Sequence, residues 1–327
     1  MVQEAATWTC KHRKLNGEAD VPAEDAAAAL TLLVRMVMEG PDVTDADLTA
    51  VRQGARTAHG TDTEGPRYDG SLDDATALLR MHLLDGTAYA PGPDPDAAAG
   101  LTLADVDAFR RRYVAARNVT LAVGGDLPAR QARAALADLE ALPSGTRHER
   151  VRDDAPRPRS ERVLHTYPVD KLQGWLVVGT TLGPVPRADE AALDVMNYIL
   201  GGGHFDTRLF REARDKRGLT NDASGFLEPS VSGPGTYTFR TYGRPEVVRL
   251  LLHLTLQEIE AIRSAPVTEE ELFVAKGALA DGVFAIRYRD GWSTARSFAE
   301  EHARYGDLSW SSTYPARVRA VTADDVL

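Results

Sequence analysis

The spacing of apolar positions changes several times along the chain, and each change marks an element. Residues 3–16 read as a strand and turn. Pro22 then opens a helix that gathers Leu30, Leu33, Val34 and Val37 on one face, and Gly40-Pro41 stops it. A second helix starts at about Thr44, and a third carries Ala75, Leu78, Leu79 and Leu83 at helical spacing. The proline-bearing stretch 90–95 predicts a loop. Thr102 and Asp105 form the pattern of a capping box ahead of Val106, Phe109 and Tyr113. A strand over 118–124 and a helix over 129–141 follow.

Residues 143–160 are polar, charged and interrupted by prolines, which predicts a linker. Beyond it the pattern predicts strands at 161–167 and 173–181, a helix at 187–200 and the triplet Gly201-Gly202-Gly203. A helix at 206–216, a hairpin over 220–242 and helices nearly to the end complete the order. The expected organisation is a first unit at 1–142, a linker at 143–160 and a second unit at 161–327.

The two units resemble each other. Val43-Thr44-Asp45-Ala46-Asp47-Leu48 matches Val267-Thr268-Glu269-Glu270-Glu271-Leu272, 224 residues on. Arg52-Gln53-Gly54-Ala55 faces Lys276-Gly277-Ala278, and Thr102 to Val106 matches Thr322 to Val326, 220 residues on. Matches in the same order at nearly one offset predict a unit that occurs twice. The expected fold class is α+β: two repeated units, each a mostly antiparallel β-sheet with helices packed on one face. On that register residues 161–224 have no counterpart in the first unit, and the helix starting at Thr322 ends early. Two readings stand: the chain is clipped at both ends, or the first unit has diverged.

Composition narrows the function classes. Hydrophobic residues make up 43% of the 327, enough for real cores and too many for a disordered chain. The formal net charge of −10 argues against a nucleic-acid partner, which calls for a basic face. The single cysteine, Cys10, permits no intramolecular disulfide and no cysteine-rich zinc site, and it reads as a small core residue. No stretch has the length of a membrane span and no leader pattern is visible, so no membrane partner and a cytoplasmic location are expected.

The segment from Asn197 through Gly201-Gly202-Gly203-His204 to Thr207-Arg208-Leu209-Phe210 and Arg214-Asp215-Lys216-Arg217-Gly218-Leu219 closely resembles the second-domain signature of the insulinase/pitrilysin-type zinc metallopeptidases, peptidase family M16. The stretch 118–124 followed by Gly125-Asp126 is similar to that family's first-domain "N-x-V-G-D" strand. The resemblance implies a zinc site built on H-x-x-E-H, with two histidines one helical turn apart as ligands, the Glu as general base and a later Glu as third ligand. None of the eight histidines heads such a motif; Glu301-His302 is preceded at the needed position by Phe298. The helix expected to carry the third ligand, 48–58, has no carboxylate beyond the neighbouring Asp47. No catalytic and no metal-ligating residue is therefore assigned to this chain; zinc is expected only in a partner.

The resemblance also implies substrate grip by an Arg and a Tyr seven residues apart. Arg214 matches the Arg, and the Tyr position holds Asn221. Arg214 is read either as that grip or as one more surface charge on a helix crowded with Arg211, Glu212, Asp215, Lys216 and Arg217. Gly201, Gly202 and Gly203 are read as a helix end permitting tight packing, or as the glycine-rich loop with which noncatalytic members of the family guide substrate. The function the resemblance implies is a noncatalytic subunit handling peptide substrate beside a zinc-bearing, peptidase-like partner. The alternatives are a fragment of an active zinc metalloendopeptidase whose H-x-x-E-H part lies outside this chain, and a structural scaffold with a peptidase-like fold.

Overall fold

The computed structural model describes residues 6–11, 14–40, 42–58, 70–87, 95–145, 161–229 and 234–327. They fall into two compact units that interleave in sequence. One is drawn from 1–66, 92–149 and 287–308, the other from 67–91, 150–286 and 309–327. Much of the expected linker, 146–160, and most of the loop expected at 90–95, namely 90–94, lie outside the described residues, as do His12, His59 and His148.

The first unit opens with an antiparallel hairpin, β1 (Ala6–Lys11) and β2 (Lys14–Ala19), in the register Cys10 to Leu15. Pro22 precedes a short 3-10 turn that runs into the helix Ala26–Glu39, which buries Leu30 and Val34 and packs on the helix Ala129–Leu139. Gly40, at φ 69°, ends it in a conformation that suits glycine. The next helix, Asp45–Ala58, begins where Thr44 and Asp47 bond each other reciprocally, the Thr44 amide to the Asp47 carboxylate at 2.8 Å. Thr102 and Asp105 cap the helix Leu103–Tyr113 in the same way, as their spacing predicts. The expected strand at 118–124 is corrected. Asn118 instead closes a 3-10 turn, its side-chain amide donating to the Tyr113 carbonyl at 3.0 Å. Residues 119–124 have no ladder partner among the described residues, and Gly124 rests against the Gly291 carbonyl at the start of the helix Gly291–Tyr305.

The second unit is built on a three-stranded antiparallel sheet in the order β3 (Gly174–Leu182), β5 (Gly235–Gly243), β4 (Ala223–Glu228). The hairpin expected over 220–242 is β4–β5. Alternation sends Leu176, Tyr237, Phe239 and Ala223 to one face. There they meet Val195, Leu200 and Leu209, together with Leu251 and Ile262 of the helix Pro245–Ser264. That cluster, closed by Leu272, Tyr314 and Val318, is the core of this unit.

The opposite face is not bare. The helix Leu72–Leu84 lies over its β3 side, where Leu79 fills the space left by Gly179 and Arg80 ion-pairs Glu228 at 3.0 Å. The expected strand at 161–167 is a second correction, since it joins no ladder among the described residues. It is fastened to that helix instead. The His165 ring stacks on His82 at 3.6 Å, and Tyr167 Oη shares a 2.7 Å hydrogen bond with His82 Nε2.

Leu251 is 1% exposed and sits between sheet and helices. Leu251→Ala removes buried contacts and leaves a cavity, so it is expected to cost about 2–5 kcal/mol of stability. Urea unfolding checks this; a loss below about 1 kcal/mol contradicts the packing described.

Candidate functional site

The site residues singled out by sequence fall on one continuous stretch of the second unit, from Asn197 to Asp222. The helix Glu190–Asn197 runs into a wider π turn, Tyr198–Gly202. Its glycines let it pack closely. A Cβ on Gly201 would come 2.8 Å from the Gly225 amide nitrogen and 3.1 Å from its Cα, so only glycine lets this turn lie on β4. A Cβ on Gly202 would run into the Asn197 side chain, and one on Gly203 would meet the Tyr198 ring at 2.7 Å. The three glycines thus explain themselves as packing.

The chain then reverses. His204 takes a left-handed conformation, φ 55°, unusual for a residue with a side chain. Its carbonyl accepts from the Thr207 hydroxyl at 3.2 Å, and that hydroxyl accepts from the Phe210 amide at 3.1 Å. Thr207 is fully buried, so this cap is shielded from water. The helix Arg208–Phe210 continues as a π turn, Arg211–Asp215, and ends at Gly218, φ 62°, whose amide donates to the Arg214 carbonyl at 2.7 Å.

This path builds a short column. The Phe210 ring is buried; Phe205, 67% exposed, meets it edge-on at 5.0 Å, and the Arg214 guanidinium stands 5.0 Å over its centroid. Asp215, at 3.7 Å, is Arg214's one ion-pair neighbour among the described residues. Arg214 therefore presents donors to solvent from a fixed aromatic base. Asn221 is exposed, and its side chain hydrogen-bonds nothing among the described residues. The turn beneath it is fixed: the Thr241 hydroxyl donates to the Asp222 carbonyl at 2.7 Å, as does the Thr220 hydroxyl at 2.9 Å. Sequence reasoning missed Phe205, because an aromatic beside a glycine triplet carries no distinguishing pattern.

The charges crowded around Arg214 serve elsewhere. Arg208, Arg211, Glu212, Lys216, Glu258 and Glu271 line a hollow of about 280 Å³. Arg208 grips Glu271 through two bonds, 2.7 and 2.8 Å, with both side chains about 15% exposed. Glu271 also accepts from the Thr268 amide at 2.9 Å as the third residue of a capping box, so one carboxylate ties two helices together. The Arg208 hydrogen bonds are the largest cause holding its carboxyl down at about 2. Burial, and then the charge of Glu212, push the Glu258 carboxyl up. Lys216 pairs with Glu212, and Arg217 reaches Glu212 Oε2 at 2.7 Å.

Among the described residues, no three His, Cys, Asp or Glu side chains gather so as to hold a metal ion. The helix Asp45–Ala58 carries Asp45 and Asp47 in its first turn, and the Asp47 carboxylate is committed to Thr44, whose hydroxyl and amide hold its pKa below the usual range. Among the same residues no helix is long and apolar enough to cross a membrane.

A model of the peptidase M16 inactive domain matches residues 100–279. An uncharacterized zinc protease of Streptomyces coelicolor is 25% identical over 242 residues, covering 71% of this chain and 51% of that protein. An uncharacterized zinc protease of Mycobacterium tuberculosis is 27% identical over 135 residues, covering 41% of this chain and 30% of that protein. The chain thus spans about half the length of the first of these relatives and less of the second. Among solved structures, a peptidase M16 inactive domain from Pseudomonas fluorescens superposes with a TM-score of 0.78 at 24% identity, covering 99% of this chain and 78% of that one. A protease from Helicobacter pylori does so at 0.76 and 17%, covering 99% and 79%. These two likenesses establish the fold.

The Glu271 clasp makes a pH prediction. A carboxylate whose folded pKa is lowered from 4.5 to about 2 contributes stability that is present above 4.5 and lost as pH falls from there toward 2. Urea midpoints measured across that window should fall for the wild type and fall less for Glu271→Gln. Parallel curves contradict the clasp.

Proposed function

The chain belongs to the peptidase M16 inactive-domain family, and we propose that it is a noncatalytic subunit which positions peptide substrate for a zinc-bearing, peptidase-like partner. The observation that carries the reading is the Phe205–Phe210–Arg214 column, an exposed guanidinium seated on an aromatic base, at the arginine that the resemblance assigns to peptide grip. A guanidinium fork suits the carbonyl oxygens of an extended backbone. Asn221 and the turn of Gly201, Gly202 and Gly203 frame the same stretch, and the proposal gives Asn221 hydrogen bonding without an aromatic face. This chain holds no zinc in the proposal, because Asp47, the carboxylate nearest the expected third-ligand stretch, is spent on a cap.

We infer further that the two halves are copies of one unit. The order hairpin, helix, Thr-capped helix, helix, helix, Thr-capped helix runs from β1 to Tyr113 and again from β4 to Val326. Helices begin at Asp45 and Glu269 behind Thr44 and Thr268, and at Leu103 and Ala323 behind Thr102 and Thr322. The helices Leu72–Leu84 and Gly291–Tyr305 occupy equivalent places in this order, and each belongs to the compact unit of the other half. Two observations favour a second reading, a scaffold without substrate. Asn221 lacks the ring that peptide grip uses, and a chain of the Candida albicans Complex III2 superposes at a TM-score of 0.74 with 14% identity, covering 99% of this chain and 78% of that one.

The test co-expresses the chain with an H-x-x-E-H peptidase chain from the same genome and follows peptide cleavage. Arg214→Ala should lower cleavage by the pair roughly ten- to a hundredfold, the effect of losing one charge-assisted contact of about 1.5–3 kcal/mol. Arg211→Ala and Arg217→Ala, whose guanidinium groups serve Glu271 and Glu212, should leave cleavage within about twofold. Equal effects from all three reduce Arg214 to a surface charge, and a pair no more active than the zinc-bearing chain alone shifts the weight to the scaffold.

A further inference from the structure

The sheet face opposite the core carries a second cationic group whose surroundings differ from those of Arg214. The strand register places Trp175 of β3 opposite Tyr242 of β5, and Ser224 of β4 opposite Arg240 of β5. All four side chains share the face turned away from Leu176, Phe239 and Ala223, and so does Phe226. The Arg240 guanidinium lies 4.2 Å over the centroid of the Phe226 ring. The Trp175 and Tyr242 rings meet at 4.8 Å, one residue pair further along the strands.

Arg240 rests on the Phe226 ring and ion-pairs Asp222, yet no acceptor hydrogen-bonds its guanidinium among the described residues. Its Nε is sealed from water and hydrogen-bonds nothing. Asp222 lies 3.8 Å from that nitrogen, too far for a hydrogen bond, and accepts one from the Ser224 hydroxyl instead. Among the described residues the guanidinium makes no hydrogen bond, although it is only 37% exposed. A sealed donor without an acceptor is costly, and the terminal nitrogens, which are not sealed, stay open to a ligand.

We propose that Arg240 is the anchor of a binding site for a peptide carboxylate, with Trp175 and Tyr242 receiving the apolar side chain next to it. A carboxylate matches the planar guanidinium fork with two parallel bonds. The negative charge of Asp222 beside the fork penalises a phosphate dianion more than a monoanion, which selects the carboxylate. The aromatic pair supplies the dry wall that favours a residue with an apolar body. The carboxylate is either the chain terminus of a peptide or an Asp or Glu side chain. The inference rests on the peptide-handling reading only in that the ligand is a peptide. It needs neither Arg214 nor a zinc-bearing partner.

The experiment is calorimetric titration of the full chain with three probes: acetyl-Gly-Gly-Phe as the free acid, the same peptide as its C-terminal amide, and acetyl-Gly-Asp-Phe amide. The free acid should bind at least tenfold more tightly than its amide, and weaken with added salt. Restoration of binding by the Asp-containing amide identifies a side-chain carboxylate as the source; failure to restore it identifies the terminus. Arg240→Gln should weaken the free acid roughly ten- to a hundredfold. Arg240→Lys, which keeps the charge and loses the fork, should fall between. Asp222→Asn should tighten binding severalfold by removing the competing charge, a gain that a merely structural Arg240 would not produce. Thermal unfolding of each variant shows that it is folded, and Asp222→Asn decides the matter if Arg240→Gln is not. Acid and amide binding alike, no binding of any probe by the wild type, or an unchanged affinity in folded Arg240→Gln overturns the proposal. Carboxylate binding without any effect of Arg214 on a partner's cleavage strikes the proposed function alone, and the reverse strikes this site alone.

Discussion

The contact of Gly201 with Gly225 governs the layout of the second unit. Two glycines at one crossing let the π turn Tyr198–Gly202 lie directly on β4, closer than any side chain permits. Everything downstream inherits that position. The chain must turn back at once, which His204 does in a left-handed conformation, and Thr207 starts the next helix from a buried cap. The column of Phe205, Phe210 and Arg214 stands where it does because the glycines set the level of the turn beneath it.

The charges after Thr207 divide by helical face. Arg208, Arg211, Glu212 and Lys216 face the hollow and are balanced there by Glu258 and Glu271. Arg214 points the other way, over Phe210. In sequence the segment 208–217 looks like one run of mixed charges. In space most of it is consumed holding helices together, and the Arg208–Glu271 pair is the clearest case. Two guanidinium groups of this unit stand apart, Arg214 and Arg240. Each rests on a phenylalanine ring, and neither has a hydrogen-bonded carboxylate.

Local hydrogen-bond closures were legible from the sequence alone. The β4–β5 hairpin and the resemblance carried by 197–219 were legible, and the helix starts at Thr44, Thr102, Thr268 and Thr322 and the break at Gly40 follow from groups whose partners are within a few residues. Such bonds form in the segment itself, so the sequence determines them. The family was legible for the same reason, since its signature is a run of local turns and caps.

The tertiary structure decided what depends on distant partners. Residues 118–124 and 161–167 have the β-branched and aromatic content of strands, yet neither finds a ladder among the described residues, because pairing requires a neighbour that composition cannot supply. The second segment is instead fastened to the helix Leu72–Leu84 by His82, His165 and Tyr167, a contact across more than eighty residues of chain. The fate of each arginine was likewise undetermined. Arg208, Arg214 and Arg240 are one residue type, and what separates their surroundings is which carboxylate or ring the fold brings within about 4–5 Å, the distance at which a charge is either neutralised or left to bind.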